Sequence, residues 1–393
     1  MKRILIFSLA YYPNFVSGAE AAIKEITDRI DPKDIEFHMI TLLFDKTQSR
    51  NEIIGNVNVH RVGWGGAYLS KILFIPLAAL KALSLDKKHH FSALWAMMTY
   101  MLWPVVFSRI VGVRAPHILT LQDGDPYEKV FKRWFMLPVV PILDYGFRTA
   151  KMVQTISVFL AEWPRRRGYQ GKVELIYNGA NPRDIKDAVS VKEVDEMKKK
   201  LGKKSGDIFL VNTSRLVHQK AFDDIIRALV KLPKNIKLIA VGAGSDEKSL
   251  KKLSEDLGVS HRVIFTGQVD RNVVTLYRRA SDIFVAPSRS EGLGNAFISA
   301  LASRLPLVAT QVGGMADYVF DEKRNPEKQA TAWVIDQDSP DQIAEKVREI
   351  LANPDKAKQI STYARKMVEE KYDWDNIAKD MRSKVFQPVI NQL

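Results

Sequence analysis

Residues 283–303 read IFVAPSRSEGLGNAFISALAS. The run Ile283–Ala286 has the length and composition of a buried strand. Pro287, Ser288, Arg289, Ser290, Glu291, Gly292, Leu293 and Gly294 make a loop, and from Asn295 a second apolar stretch of helical length runs to Ser303. Pro306–Ala309 is the next short apolar run, followed by Gly313-Gly314. Strand, glycine-bearing loop, helix and strand in succession form the repeating unit of a parallel sheet covered by helices. Such sheets meet their ligands at the loops that follow the strands. Glu291 lies on one of these loops. Gly292 and Gly294 leave backbone N–H groups free at the helix start, suited to phosphate, sugar hydroxyls or both.

The same alternation extends outward in both directions. Strands are predicted at Ile208–Asn212, Ile236–Val241 and Val263–Thr266, with helices at Asp223–Leu232, Glu247–Leu257 and Val273–Arg279. In the first half, strands at Ile4–Ser8, Ile35–Thr41, Val57–Arg61, Ala93–Ala96, Pro116–Leu121, Met152–Thr155 and Val173–Ile176 are separated by helical stretches. A chain of 393 residues, 46% hydrophobic, exceeds what one core normally organises, so two doubly wound α/β domains are expected. The boundary is expected between Tyr177 and Gly206, giving domains 1–177 and 178–373. There Asn178-Gly179 supplies a turn and the charged stretch Val189–Lys204 reads as a hinge. A last helix, 374–393, is expected to cross back onto the first domain.

Composition narrows the chemistry. No cysteine occurs, which excludes disulfides, thiolate metal sites and a cysteine nucleophile. The formal charge of +14, spread as +8 over residues 1–175 and +6 over the rest, favours an anionic partner. Nucleic acid is disfavoured because no nucleic-acid motif accompanies the charge. The amino-terminal stretch reads as a first core strand rather than a leader, since Tyr11, Tyr12, Pro13 and Asn14 follow it, which points to a cytoplasmic protein.

Three further loops carry candidate groups. Ser17-Gly18-Ala19-Glu20 opens a helix, as a phosphate-binding turn or as plain capping. Ser214–Lys220 places Arg215 and Lys220 on one loop, able to hold a diphosphate and stabilise it as it leaves, or merely a solvated basic segment. Gly242-Ala243-Gly244 lacks the third glycine of a dinucleotide loop, because Glu247 stands there, and close turn packing explains it at least as well.

Taken together these residues resemble the family 4 retaining glycosyltransferases of the GT-B fold, in which two Rossmann-like domains face a central cleft. The resemblance covers nearly the whole second domain. Glu291 matches the first residue of that family's E-x7-E signature, beside the donor sugar, while the second position is Ser299 instead of Glu. Arg215 and Lys220 match its R-x4-K diphosphate clamp, and Gly18 matches its first-domain glycine. The resemblance further implies donor contacts from Gly242, Gly292, Leu293, Gly294 and Ser299, base contacts around Val269, and an interdomain turn at Asn178-Gly179. Where relatives carry a histidine this chain has Gln122, able to donate to a sugar hydroxyl. Asp123 and Asp125 beside it read as acceptor ligands or a base, or as turn formers with Gly124 and Pro126.

The resemblance implies transfer of a sugar from a nucleotide-diphosphate donor, a UDP-sugar first and GDP-mannose next, with no cofactor and no metal, Arg and Lys doing a metal's electrostatic work. The alternative is a catalytically inactive GT-B scaffold, suggested by Ser299 and Gln122. Ile72–Leu80 and Ala93–Phe107 are apolar but shorter than the roughly 20 residues of a membrane span. Basic and aromatic residues mix at Lys129, Lys132, Arg133, Trp134 and Phe135, and again at Trp163, Arg165, Arg166 and Arg167. That composition suits an anionic lipid surface, hence a peripheral protein on the inner face of the cytoplasmic membrane and a glycan or polyisoprenyl-phosphate-linked acceptor, or else a soluble basic face with ordinary core aromatics.

Overall fold

The computed structural model describes every residue except Met1, Asn14, Phe15, Gly66, Ala67, Phe135, Gln392 and Leu393, and the side chains of all the rest but Tyr68, Leu69 and Ile72. Asn14 and Phe135, named above, therefore lie outside the described residues. The chain divides into two compact units, Met1–Asn178 with Trp374–Leu393, and Gly179–Asp373.

The first unit is built on an eight-stranded sheet. In chain order its strands are β1 (Lys2–Phe7), β2 (Ile35–Leu42), β3 (Asn51–Ile54), β4 (Val57–Val62), β5 (Ala93–Met97), β6 (His117–Leu121), β7 (Met152–Thr155) and β8 (Val173–Leu175). Their spatial order is β3-β4-β2-β1-β5-β6-β7-β8, parallel throughout except for β3. Ile4, Leu5, Ile6 and Phe7 are all fully buried, as expected of a central parallel strand covered on both faces. β3 was not predicted. It joins β4 through the two-residue loop Gly55-Asn56, with Gly55 at φ +57° and the Asn56 amide donating to the Thr27 and Ile30 carbonyls.

The returning segment is part of this core. After the helix Trp374–Asp380 the chain takes a π-helical turn, Met381–Phe386, and a short helix, Gln387–Ile390. Phe386 packs edge-on against Trp95, ring centroids 4.9 Å apart, and lies 5.9 Å from Phe37. Lys2 Nζ donates to the Ile390 carbonyl at 2.8 Å.

The second unit carries six parallel strands: β9 (Ile208–Asn212), β10 (Ile236–Ala240), β11 (Val263–Phe265), β12 (Ile283–Ala286), β13 (Leu307–Ala309) and β14 (Trp333–Val334), in the order β11-β10-β9-β12-β13-β14. The chain leaves β9 to one side for β10 and β11, then returns to its other side for β12. The topology therefore reverses between β9 and β12, and there the loops part to leave a crevice at the carboxyl ends of the strands. The segment Val189–Lys204, read from sequence as a hinge, is instead mostly the helix Val191–Lys200. Ser190 caps it, exchanging hydrogen bonds with Glu193.

Replacing Phe386 by Ala should lower the unfolding free energy of the first unit by about 3–5 kcal/mol, read from denaturant titration. An unchanged midpoint would mean that the returning segment adds nothing to that core.

Candidate functional site

Glycines at three places let the loops around the β9/β12 crevice approach more closely than any side chain would permit. A Cβ on Gly242 would lie 2.2 Å from the Ser214 carbonyl oxygen, and one on Gly244 only 2.1 Å from that of Leu216. The loop after β9 is thereby laced to the loop after β10, with Leu216 N–H donating to the Ala243 carbonyl at 3.0 Å. On the other side a Cβ on Gly313 would lie 1.9 Å from the Glu291 carbonyl oxygen, at a φ of +55° that already favours glycine. The Gly313-Gly314 pair after β13 thus props the backbone of Glu291. Arg289 N–H donates to the Gln219 carbonyl at 2.8 Å, tying the loop after β12 to the loop after β9. The Arg289 guanidinium grips Asp223 at 2.9 and 3.0 Å and Asp338 at 2.6 Å.

These constraints bring two predicted residues together. Lys220 Nζ donates to Glu291 Oε1, with the glutamate side chain almost fully buried. Ser288 Oγ donates to the same oxygen at 3.2 Å. The other carboxylate oxygen has no partner among the described residues. Arg215 is exposed on the same loop as Lys220, and its guanidinium makes no ion pair or hydrogen bond among the described residues.

Helix Asn295–Ala302 begins just beyond Glu291, with Gly294 in the left-handed region at φ +86°. Among the described residues, the backbone N–H groups of Gly292, Leu293, Gly294, Asn295 and Ala296 have no acceptor, whereas Phe297 and Ile298 bond back to the Gly294 carbonyl. Tyr318 Oη donates to the Leu293 carbonyl at 2.8 Å and fixes the loop from behind. Two cations, a carboxylate and a row of unsatisfied N–H groups form a site for an anion, since the helix dipole adds to their field. Asn295 and Ala296 were missed from sequence, although the glycine-then-helix pattern that pointed to Gly292 and Gly294 also covers them.

Other expectations take different forms. Ser299 donates to the Asn295 carbonyl at 2.8 Å and accepts from Asn181 N–H at 2.9 Å, so its hydroxyl hydrogen is engaged inside the second unit rather than offered to a ligand. Gly242 N–H is bonded to the Gly267 carbonyl at 3.1 Å, which makes it a packing glycine. Val269 is half-buried on the loop after β11.

In the first unit, Gly18 leads the helix Gly18–Thr27, but the Glu20 carboxylate already takes the Ser17 N–H at 2.7 Å and the Ser17 hydroxyl. That is the capping alternative, and it sets a negative charge where a phosphate would go. Gln122 exchanges hydrogen bonds with Asn178 at 2.8 and 3.4 Å. Asp125 pairs with Lys129 at 2.6 Å. Asp123 is buried at the carboxyl end of β6, where Thr99 N–H and Oγ donate to it at 3.2 and 3.0 Å. Burial pushes its carboxyl up to about 6 from an ordinary 3.8, partly opposed by the Thr99 hydrogen bonds and helped by the nearby Asp125 charge. Trp163 is core rather than surface, packed edge-on to Tyr127 and Phe131, and Arg167 clamps Asp144 at 2.6 and 2.7 Å.

Because the folded pKa of Asp123 exceeds the unfolded one, the folded state holds an extra proton between about 3.8 and 6, and stability falls as pH rises through that window. The melting temperature of Asp123→Asn minus that of wild type should therefore climb from pH 4 to pH 6 and level off above. A difference flat with pH would contradict the buried charge.

Residues 193–367 match the family model described as Glycosyl transferases group 1. An uncharacterized glycosyltransferase of Methanocaldococcus jannaschii is 32% identical over 213 residues, 54% of this chain and 53% of that protein. A GDP-mannose-dependent alpha-(1-6)-phosphatidylinositol monomannoside mannosyltransferase of Mycobacterium tuberculosis is 32% identical over 179 residues, 43% of this chain and 45% of that protein. The chain thus matches about half the length of these relatives. The solved structure of Anabaena HepE in complex with UDP-glucose superposes with a TM-score of 0.80 at 18% identity, covering 98% of this chain and 100% of that one. At that identity the likeness establishes the fold, which is GT-B.

Proposed function

We propose that this GT-B chain, whose residues 193–367 match the glycosyl transferases group 1 model, is a retaining glycosyltransferase of the family 4 type that takes a hexose from a nucleoside-diphosphate donor. The observation that carries the reading is the Lys220–Glu291 pair at the β9/β12 crevice, beside the unpaired Arg215 and the open N–H row of Gly292–Ala296. The diphosphate of the donor displaces Glu291 from Lys220, bridges Lys220 and Arg215, and receives the free N–H groups. Glu291 then turns to the sugar hydroxyls. The bond from the anomeric carbon to the phosphate oxygen breaks, the acceptor oxygen bonds to the same face, and the acceptor proton passes to the departing phosphate oxygen. Charge stabilisation by Arg215, Lys220 and the helix start lowers the barrier without a metal or cofactor.

For the donor, the name of the mycobacterial relative favours GDP-mannose, and UDP-glucose in the Anabaena structure keeps UDP-sugars in contention. The acceptor is a glycan or a polyisoprenyl-phosphate-linked glycan bound by the first unit, with an anionic membrane surface as partner on the cytoplasmic side. No helix among the described residues is long and apolar enough to cross a membrane. The engagement of Ser299 with Asn181 favours a second reading, an inactive GT-B scaffold that has lost its ribose contact.

Calorimetric titration with UDP and GDP, paired with an assay of sugar transfer, separates these readings. Arg215→Ala should weaken binding of the cognate nucleotide about 10- to 100-fold, the value of one charge-assisted hydrogen-bonding group. Glu291→Gln should bind the nucleotide at least as tightly as wild type, because Lys220 is released from its partner, yet transfer no sugar. Transfer at the wild-type rate by Glu291→Gln would sink the mechanism, and nucleotide binding without transfer by the wild type across acceptors would favour the scaffold.

A further inference from the structure

A helix that covers a sheet from the solvent side ordinarily turns charged residues outward. Between Lys71 and Lys81 the helix Tyr68–His89 of the first unit has no charged residue to turn. Midway along it Pro76 and Leu80 are exposed, Leu80 to 58%, and Leu73, Leu77 and Leu83 are only half-buried. The helix Leu102–Ile110 packs beside it, and the helix Val140–Arg148 packs beside that one in turn. Gly146 allows the second contact, since a Cβ there would lie 3.1 Å from Leu102 Cβ. Between these two helices runs an apolar groove lined by Val106, Arg109, Ile110, Pro141, Ile142 and Tyr145. Ile110 is 73% exposed at its end, and the turn leading into the last helix adds Leu137, 57% exposed.

On the first two of these helices and the chain between them the charge is mostly of one sign, while the third carries Asp144, which is paired with Arg167. From Gly63 to Gln122 the chain has six Lys and Arg and a single acidic residue, Asp86. Asp86 is engaged by the Phe91 N–H at 2.9 Å. None of Lys71, Lys81, Lys87, Lys88, Arg109 and Arg114 forms an ion pair among the described residues. Lys71 stands exposed near one end of the apolar helix, and Lys87 and Lys88 at the other. Elsewhere on the molecule cations are commonly neutralised, as Arg289 is by Asp223 and Lys203 by Asp282.

We propose that the face formed by the helices Tyr68–His89, Leu102–Ile110 and Val140–Arg148 is a docking surface for an anionic lipid bilayer. Apolar side chains enter the headgroup region while the surrounding Lys and Arg meet lipid phosphates. The unpaired cations select this occupant, because a second copy of the chain would bring an identical positive field against the first. The surface differs from the two that sequence composition suggested, of which Trp163 is core while Lys132, Arg133 and Trp134 are exposed. The assignment rests on the membrane partner proposed above and gives it a location.

Co-sedimentation of the full chain with vesicles tests it, using phosphatidylcholine alone and phosphatidylcholine containing phosphatidylglycerol. The wild type should pellet with the anionic vesicles, much less with the neutral ones, and should be released as salt rises. Leu80→Glu with Ile110→Glu, and separately Lys87→Glu with Lys88→Glu, should each lower partition by more than about tenfold while nucleotide binding stays unchanged, since every substituted side chain lies outside the β9/β12 crevice. Circular dichroism verifies that both variants fold. If the wild type pellets and both variants pellet equally well, the surface assignment fails and the membrane partner stands. If the wild type ignores every vesicle, both fail. If it sediments as a dimer without lipid and Leu80→Glu with Ile110→Glu makes it a monomer, the face belongs to a second copy and the proposal is overturned.

Discussion

The contact on which the candidate site depends is the ion pair between Lys220 and Glu291, which holds two loops from different strands in register at the β9/β12 crevice. A charged pair this sheltered is tolerable because each partner is positioned by rigid neighbours and the carboxylate is offered a further polar contact. Glu291 has Ser288 on its carboxylate and Gly313 against its backbone, while the Lys220 loop is bound to the loop after β12 through Arg289 and to the loop after β10 through Leu216. The pair is also poised. A diphosphate would supply the lysine with more negative charge than one carboxylate does, so in the proposed reaction ligand binding and release of Glu291 are one event.

The two units use the same device differently. In each, the first strand of the parallel sheet lies inside it and later strands add on both sides, so each has a topological reversal, β1/β5 in one and β9/β12 in the other. The second unit lines its reversal with cations and unsatisfied N–H groups. The first unit places Thr99 and the buried Asp123 near its own, and caps the helix after β1 with Glu20. An acidic lining disfavours a phosphate and suits hydroxyl groups, which agrees with the first unit taking the acceptor in the proposed reaction.

Much of this was legible in the sequence because central parallel strands are continuous apolar runs. Ile4–Phe7, Ile208–Asn212 and Ile283–Ala286 stand out for that reason, and Gly292 and Gly294 mark the loop after the last of them. Edge elements gave weaker signals. Asn51–Ile54 alternates exposed and half-buried residues, and only its Gly55-Asn56 turn could have announced it. Val191–Lys200 is so charged that it read as linker, although Ser190 and Glu193 spell out a capping box. At the site, residue types singled out Glu291 and Lys220, which the fold brings together, and Arg215 on the loop of Lys220. Whether a hydroxyl or an N–H is already bonded depends on partners far along the chain, so Ser299 engaged with Asn181 and Gly242 with Gly267 were illegible without coordinates. Trp163 failed for a related reason, since an aromatic beside arginines looks alike in a core and on a surface.

The central claim is that a nucleoside diphosphate binds the folded chain at the crevice beside Lys220 and Glu291. Thermal unfolding of the purified protein with UDP, GDP or ADP tests it without any knowledge of the acceptor, because a ligand bound only by the native state stabilises it by mass action, about 2.7 kcal/mol at a hundredfold excess over Kd. The account predicts that one of the three raises the midpoint progressively with concentration while inorganic phosphate at the same concentration does not. A midpoint unmoved by all three would contradict it.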